Sequence, residues 1–262
     1  MKIGIIGAGN MGGAIARGLA VDPGFCTADI TVCSPNNHGE LDKLKADFPD
    51  INVSTDNEKA IDGTDIIIIA VKPWLVYDVM DPLSQKINWE KQMLVSVAAG
   101  ITLAQLEDLS LCTPPAVFRV MPNTAIALRK SMTFICSSGA NDEQVKAVSD
   151  VFERLGAVML IEEAQMPACM ALASCGIAYA MRYVRAASEG GVELGVKADV
   201  AKDIVLRTLE GAAALLLESG NHPEVEIDKV TTPGGLTIKG LNAMEAHGFT
   251  TSVIEGLKAC TK

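Results

Sequence analysis

The sequence predicts an α/β fold: an N-terminal Rossmann domain with a doubly wound sheet, followed by a C-terminal all-helical dimerisation domain. Three observations lead to this prediction. A glycine-rich turn follows the first apolar run, short apolar runs alternate with helical stretches up to about residue 162, and strand-like runs are missing beyond it. Strand–helix alternation of this kind is typical of doubly wound sheets. We therefore expect the first domain at 1–162 and the second at 163–262.

Composition limits the classes of function. Hydrophobic residues make up 49% of the 262 positions, so the chain can bury a sizeable core. The net charge is −10 and the basic residues form no cluster, which argues against a nucleic-acid partner. The cysteines show no C-x-x-C pair and no metal-like grouping with the histidines, which predicts free thiols, no metal site and a cytoplasmic location. The first strand leaves no room for a signal peptide, and the apolar runs are too short to span a membrane.

The first domain is expected to alternate strands with helices. Near-continuous apolar runs such as Ile66–Ile69 suit parallel strands that are covered on both faces. The predicted strands are Lys2–Ile6, Ile30–Cys33, Asp65–Val71, Met93–Val97, Val117–Met121, Met132–Cys136 and Val158–Ile161. The predicted helices are Met11–Ala20, Glu40–Phe48, Glu58–Ile61, Ile101–Leu109 and Asp142–Leu155.

The second domain is rich in Ala, Leu, Met and Glu at helical spacing. We expect helices over Pro167–Gly191, Asp199–Ser219, Pro233–Ala246 and Phe249–Ala259. Their alanine-rich faces suit close packing inside one subunit or against a second subunit. A bundle of this size is thin, which favours a homodimer.

The first loop carries a G-x-G-x-x-G pattern in Gly7-Ala8-Gly9-Asn10-Met11-Gly12. The first glycine permits a tight turn, the second lets a pyrophosphate approach the backbone, and the third lets helix and strand pack closely. The N-terminal amides of the following helix then face the phosphates. Because a strand precedes the loop and a helix follows it, we favour dinucleotide binding over a turn without a ligand. The residues expected to bind the cofactor here are Gly7, Gly9, Asn10, Met11 and Gly12.

The end of the second strand indicates which dinucleotide is bound. An NAD site usually has an acidic residue there, whereas this chain reads Cys33-Ser34-Pro35-Asn36. Ser34 and Asn36 can donate hydrogen bonds to a 2′-phosphate, although no arginine is present at this tip. We therefore predict NADP, with NADPH preferred over NADH; the alternative is that these residues simply form a turn.

Other loops are expected to border the cofactor because they follow parallel strands. One is Ala70-Val71-Lys72-Pro73, where the lysine suits a phosphate, a ribose hydroxyl or a substrate carboxylate, or is an ordinary surface residue. The small Ala98 and the polar Asn123 follow the next two strands and are also predicted to contact the cofactor. Both loops could instead be ordinary turns.

A second glycine motif, Thr231-Thr232-Pro233-Gly234-Gly235-Leu236-Thr237, lies in the helical domain. We predict that Thr232 is the N-cap and Pro233 the first helical residue. The exposed amides would hold a small anion such as a carboxylate, and the Thr237 hydroxyl would lie beside it. The alternative is a well-capped helix that binds nothing.

Together these segments resemble the ordered landmarks of pyrroline-5-carboxylate reductases. The resemblance extends to Val97–Ile101, Arg119–Thr124, Leu216–Pro223 and Gly248-Phe249, and it covers essentially the whole chain. It implies a homodimer or a larger ring of dimers. It also implies that 1-pyrroline-5-carboxylate is reduced to L-proline by hydride from NAD(P)H, with C4 of the cofactor and the imine carbon held close together.

The resemblance also implies roles for individual residues. Ser34 and Asn57 would contact the adenosine end of NADP, and Ala70, Lys72 and Pro73 would border the nicotinamide ribose. The substrate-binding residues would be Thr232, Gly234, Gly235, Ser174 and Gly176, next to the cofactor of the partner subunit. Thr237 would be catalytic, because its hydroxyl would hydrogen-bond the imine nitrogen.

One segment departs from the family pattern. The family usually has Ser-Gly-Ser-Gly-Pro-Ala-Tyr at the start of the first long helix of the second domain, where this chain has Ala173-Ser174-Cys175-Gly176-Ile177-Ala178-Tyr179. The departure leaves two alternatives open: a divergent imine or hydroxyacid reductase, and a non-catalytic NADP-binding protein. Hydroxyacid dehydrogenases use a lysine base on that helix, and residues 167–195 contain no lysine.

Overall fold

The computed structural model describes residues 1–110 and 115–261 and divides the chain into two compact units, Met1–Ser174 and Cys175–Lys262. This division falls later than the boundary expected at residue 162. Residues 163–174 belong with the first unit because Glu163 is bonded to it. Glu163 Oε1 accepts hydrogen bonds from the Leu103 amide at 2.8 Å and from Arg119 Nη1 at 3.0 Å. The Arg119 side chain is 11% exposed and the Glu163 side chain 32%, so the guanidinium group is largely buried while the carboxylate is in part accessible to water.

The first unit is built on an eight-stranded sheet with the order β3-β2-β1-β4-β5-β6-β7-β8. Strands β1 to β6 are parallel, β7 runs antiparallel to β6, and β8 is parallel to β7. The strands are β1 Ile3–Ile6, β2 Ile30–Cys33, β3 Asn52–Ser54, β4 Ile66–Ile69, β5 Met93–Ser96, β6 Val117–Met121, β7 Ser131–Ser138 and β8 Gly156–Leu160. The order of β1 to β6 is the Rossmann order, which confirms the predicted fold class.

Helices cover both faces of this sheet. They are α1 Asn10–Ala20, α2 His38–Asp47, α3 Val76–Ser84, α4 Leu103–Glu107, α5 Asp142–Glu153 and α6 Met166–Met170. Successive isoleucines of β4 alternate between the layers: Ile66 and Ile68 pack in one buried cluster, Ile67 and Ile69 in the other. A strand that is buried on both faces must be apolar throughout, which explains this run of four isoleucines.

Three features of the first unit differ from the prediction. The strand β3 was not predicted because it is short and carries the polar residues Asn52 and Ser54. The helix α3 was not predicted because Pro82 lies inside it, and proline normally ends a helix. The helix expected over Glu58–Ile61 is a 3-10 turn, Asn57–Ala60. Its Ala60 carbonyl lies where a side chain of Gly4 in β1 would be, so β1 passes close beneath the turn.

A charge cluster links the residues that follow α1 to Arg129 and to Arg154, which follows α5. Asp22, which is 8% exposed, accepts hydrogen bonds from Arg129 Nη2 at 2.5 Å, from Arg154 Nη1 at 2.8 Å and from the Gly24 amide at 2.8 Å. Burial acts to raise the pKa of Asp22, but the Gly24 amide and the two guanidinium groups outweigh it and hold this pKa below its ordinary value.

We expect Asp22→Asn to lower the free energy of unfolding by about 2 kcal/mol at pH 7, because the two guanidinium groups lose their charged partner. A carboxylate whose pKa is lowered in the folded state stabilises the protein above the unfolded pKa and loses that effect as pH falls through the folded pKa. The difference in the free energy of unfolding between variant and wild type should therefore become smaller as the pH falls below 3.8, the ordinary pKa of Asp22. Urea unfolding at pH 7 and near pH 3 measures this.

The matched control is Asp50→Asn, since Asp50 is exposed and forms no ion pair with any residue in 1–110 or 115–261. It should leave the stability unchanged at both pH values. An Asp22→Asn protein that is as stable as the wild type at pH 7 would contradict the proposed role of the cluster.

The second unit contains only helices among its described residues, as predicted. These are α7 Gly176–Glu193, α8 Ala198–Ser219, α9 Pro223–Lys229, α10 Leu236–Ala246 and α11 Phe249–Ala259. The side chain of α8 that is buried most deeply, Ala201, lies against Gly191 of α7, where an added methyl group would come within 3.0 Å of its Cβ. Large apolar side chains are exposed in this unit, among them Leu194, Ile204, Leu215, Leu217 and Phe249.

One helical stretch is long and apolar enough to cross a membrane by length and composition alone. It runs from Glu163 to Glu193, and 11% of its apolar window is buried within the chain. This differs from the expectation that no run is long enough. The indication is weak, because a helix that another subunit covers has the same composition and the same exposure in a single chain.

Candidate functional site

The glycine loop joins β1 to α1 at the carboxyl edge of the parallel strands. Gly7 has φ +107°, a conformation that side-chain-bearing residues rarely adopt, and its amide donates to the Cys33 carbonyl at 2.7 Å. Gly9 is the N-cap of α1, and a methyl group added to it would meet nothing within 4 Å. This loop therefore leaves open space in front of the first amides of α1, where an anion is favourably bound.

A cavity of about 1090 Å³ opens in front of this loop. Its size suits a dinucleotide, because pockets for drug-sized ligands measure roughly 300–1000 Å³. It lies at the point where the strand order reverses from β1 to β4, which is where doubly wound sheets bind their ligands. The predicted cofactor residues that line it are Gly7, Gly9, Asn10, Met11, Ser34, Asn57, Ala70, Val71, Lys72, Pro73 and Ala98.

Polar groups in the cavity are free to bind a ligand. Asn57 Oδ1 is buried and has no hydrogen-bond partner in the described structure. A buried acceptor of this kind costs free energy unless something donates to it. Lys72 forms no ion pair with any residue in 1–110 or 115–261, so its ammonium group is a free cation at the cavity wall. Asn37 is committed elsewhere, because its Nδ2 donates to the Ala8 carbonyl at 2.8 Å.

Two charged residues of the cavity were not predicted from the sequence. Arg17 of α1 and Glu40 of α2 both line it, and Arg17 Nη1 is paired with Glu40 Oε1. The spacing of Asn10, Ala14 and Arg17 places all three on one face of α1, which is the signal that could have identified the arginine. The pairing with Glu40 depends on how α1 packs against α2. A sequence pattern within one helix does not show which residues of two helices meet.

Two of the predicted cofactor residues do not line the cavity. Gly12 lies behind the loop, where a methyl group would come within 1.9 Å of the Gly7 carbonyl oxygen, so its function is the close packing of helix against strand. Asn123 is 7% exposed and is used in its own turn. Its Oδ1 accepts a hydrogen bond from the backbone amide of Ala125 at 3.0 Å, and its own backbone amide donates to Ser131 Oγ at 3.1 Å. The neighbouring Thr124 lines the cavity in its place.

The second glycine motif precedes α10 in the second unit, and its predicted start is wrong. The helix begins at Leu236 and its N-cap is Gly235, not Thr232. The reason is that Gly234 has φ +72°, which is not a helical conformation, so Thr232 to Gly235 form a turn in which the Gly235 amide donates to the Thr232 carbonyl at 2.9 Å. The turn still leaves the first amides of α10 without helical partners, and Thr237 is exposed in the first turn of the helix.

The segment that departs from the expected pattern forms a π-helical turn over Ala171–Cys175, between α6 and α7. Ser174 Oγ donates to the Pro122 carbonyl at 3.4 Å, just beyond the end of β6, and Gly176 is the first residue of α7. Turns of this type often occur at functional sites. Burial, with a hydrogen bond to Cys260, raises the pKa of the Cys175 thiol, so Cys175 is not a thiolate nucleophile at neutral pH.

Comparison with known proteins gives a consistent result. Residues 163–262 match the family model described as pyrroline-5-carboxylate reductase dimerisation, and residues 2–100 match the model of coenzyme F420-dependent NADP oxidoreductases. The chain is 34% identical to pyrroline-5-carboxylate reductase 2 of Dictyostelium discoideum over 98% of this chain and 89% of that protein. It is 37% identical to reductase 1 of the same organism over 97% of this chain, but it spans only 48% of that longer protein.

A solved structure shows the same architecture. The crystal structure of Plasmodium falciparum pyrroline carboxylate reductase with NADP bound superposes with a TM-score of 0.86 at 26% identity. The match covers 100% of this chain and 95% of that one.

Proposed function

The chain belongs to the pyrroline-5-carboxylate reductase family, and we propose that it catalyses the reaction for which the family is named, the reduction of 1-pyrroline-5-carboxylate to L-proline with NADPH. The observation that carries this proposal is the cavity at the glycine loop, where Lys72 forms no ion pair and Asn57 Oδ1 no hydrogen bond with the residues that the structure describes. A relative of the same architecture binds NADP.

The residues present fit an NADP dinucleotide. The open space at Gly9 and the first amides of α1 would hold the pyrophosphate, and Asn57 would accept a hydrogen bond from the adenosine end. Lys72, Ala70 and Pro73 would border the nicotinamide ribose. The small side chains of Val97, Ala98 and Ala99 leave room for a flat ring. When bound, NADPH supplies the hydride for the carbon of the C=N bond.

The substrate would be held at the start of α10. Its first amides have no partners within the helix and suit the carboxylate of the imino acid. The Thr237 hydroxyl would hydrogen-bond the imine nitrogen and orient it for protonation. Thr232, Gly234 and Gly235 would shape this site, and a side chain at Gly235 would collide with Thr232 Oγ1 at 2.6 Å. We propose Ser174 and Gly176 as further substrate-binding residues, as the resemblance to the family implies.

The protein associates with itself, as the match of residues 163–262 to a dimerisation domain indicates. The exposed apolar side chains of α7, α8 and α11 suit burial against a second copy, and this explains the apolar stretch Glu163–Glu193 without a membrane. We propose a homodimer that can assemble further into a ring, in the cytoplasm.

The test is NADPH oxidation at 340 nm with and without 1-pyrroline-5-carboxylate, together with identification of L-proline as the product. Oxidation that depends on the substrate, and that is faster with NADPH than with NADH, is expected. NADPH binding without turnover of this imine would overturn the proposed substrate. Failure to bind either dinucleotide would overturn the assignment of the cavity.

A further inference from the structure

Arg17 and Glu40 form a salt bridge inside the proposed cofactor cavity, and the mechanism above leaves it without a role. The pair lies beside the loop Ser34-Pro35-Asn36-Asn37, which follows β2 and lines the same cavity. In Rossmann domains the end of this strand faces the 2′ position of the adenosine ribose. The pair is therefore placed among the residues that distinguish NADP from NAD.

The pair is part of the cavity wall and is partly shielded from solvent. The Arg17 and Glu40 side chains are 33% and 21% exposed. Both pack across the backbone of Gly13 in α1, where an added methyl group would come within 2.9 Å of Glu40 Oε1 and 3.1 Å of Arg17 Nη1. A glycine at this position therefore gives the two side chains the room in which they meet.

We infer that the Arg17–Glu40 pair recognises the 2′ substituent of the adenosine ribose and sets the preference between the two coenzymes. This inference rests on the proposed function, because it assumes that the cavity holds the dinucleotide. Arg17 supplies the cation that is missing from the tip of β2, and a guanidinium group binds a phosphate with two parallel hydrogen bonds.

The Glu40 carboxylate acts in the opposite direction. It pairs with the Arg17 guanidinium group when no phosphate is present, and it repels a 2′-phosphate. It can also accept a hydrogen bond from a 2′-hydroxyl group. The two residues thus favour different coenzymes from one position. The outcome is a preference for NADPH that is smaller than Arg17 alone would give.

Substitutions of the two residues should change binding in opposite directions. Isothermal titration of the free protein with adenosine 2′,5′-bisphosphate and with 5′-AMP compares a phosphate with a hydroxyl group at the 2′ position, without any turnover. Glu40→Gln should lower the dissociation constant for the bisphosphate about tenfold, since it releases Arg17 and removes a repulsive charge. Arg17→Gln should raise this dissociation constant about tenfold or more. Binding of 5′-AMP should change little with Arg17→Gln and weaken slightly with Glu40→Gln.

The matched control is Asp47→Asn. Asp47 Oδ2 lies 3.9 Å from Arg17 Nε, carries the same charge as Glu40, and is not among the residues that line the cavity. Its removal should leave both dissociation constants unchanged. Arg17→Lys is a second variant for the same test, since it keeps the charge but loses the planar donor group, and it should give an intermediate ratio.

The outcomes separate this inference from the function on which it rests. A wild-type protein that binds neither nucleotide would overturn the assignment of the cavity itself. A wild-type protein that binds both, together with folded Glu40 and Arg17 variants whose ratio of dissociation constants stays within about twofold of it, would overturn the role of the pair and leave the proposed function intact. In active variants, the ratio of kcat/KM for NADPH and NADH should follow the binding ratio.

Discussion

Gly12→Ala is expected to lose both NADP binding and stability, whereas Gly9→Ala is expected to lose binding alone. At Gly12 the added methyl group would come within 1.9 Å of the Gly7 carbonyl oxygen and 2.9 Å of Ala70 Cβ, so α1 must move away from the sheet. Overpacking of this kind costs about 1–3 kcal/mol of stability. The displaced helix would also misplace its first amides, and we expect the dissociation constant for NADP to rise by about a hundredfold.

Gly9 provides the contrast because the protein itself leaves room for a methyl group at that position. Gly9→Ala should unfold at the same urea concentration as the wild type, yet bind NADP at least about tenfold more weakly, since the methyl group occupies the space proposed for the pyrophosphate. Gly39→Ala, in an exposed and open position of α2, is the neutral control. Unchanged NADP affinity in Gly9→Ala would show that the loop does not hold the pyrophosphate.

Thr237→Ala is expected to lower kcat by about ten- to a hundredfold, with the dissociation constant for NADPH nearly unchanged. The hydroxyl is proposed to orient the imine nitrogen, and Thr237 is not among the residues that line the described cofactor cavity. Stopped-flow measurement of hydride transfer and titration of NADPH separate the two effects. Thr237→Ser keeps the hydroxyl and should restore most of the rate.

The control for this prediction is Thr251→Ala, which removes another exposed threonine from the first turn of a neighbouring helix, α11. It should leave kcat unchanged. Wild-type kinetics in Thr237→Ala would remove this residue from the mechanism, and an equal loss in both variants would point to the helical unit as a whole instead of the hydroxyl.

Much of the first unit could be predicted because its signals are local. The apolar run Ile66–Ile69 indicates a strand that is buried on both faces, and the glycine pattern from Gly7 to Gly12 indicates the turn into α1. Together with the alternation of strands and helices, they indicate a doubly wound sheet, but the order of the strands does not follow from these local signals. β3 and α3 could not be recognised, since polar residues in the strand and Pro82 in the helix contradict the local preferences.

The site was predicted unevenly for the same reason. Residues at strand ends, such as Ser34 and Lys72, could be found from their position in the chain. Arg17 and Glu40 could not, because only the packing of two helices brings them together. The start of α10 was misplaced because Thr232 and Pro233 match a capping pattern that the left-handed Gly234 overrides.

The contacts of Glu163 determine where the helical part of such a protein can be replaced by that of another. Its carboxylate holds the amide that opens α4 and the guanidinium of a central strand, although it lies beyond the last strand of the sheet. A nucleotide-binding half that ended at residue 162 would retain the Arg119 charge, almost out of reach of water, without its counter-ion. A chimaera with the helical part of another protein should therefore be joined after Ser174. A chimaera joined after residue 162 must have a carboxylate at position 163.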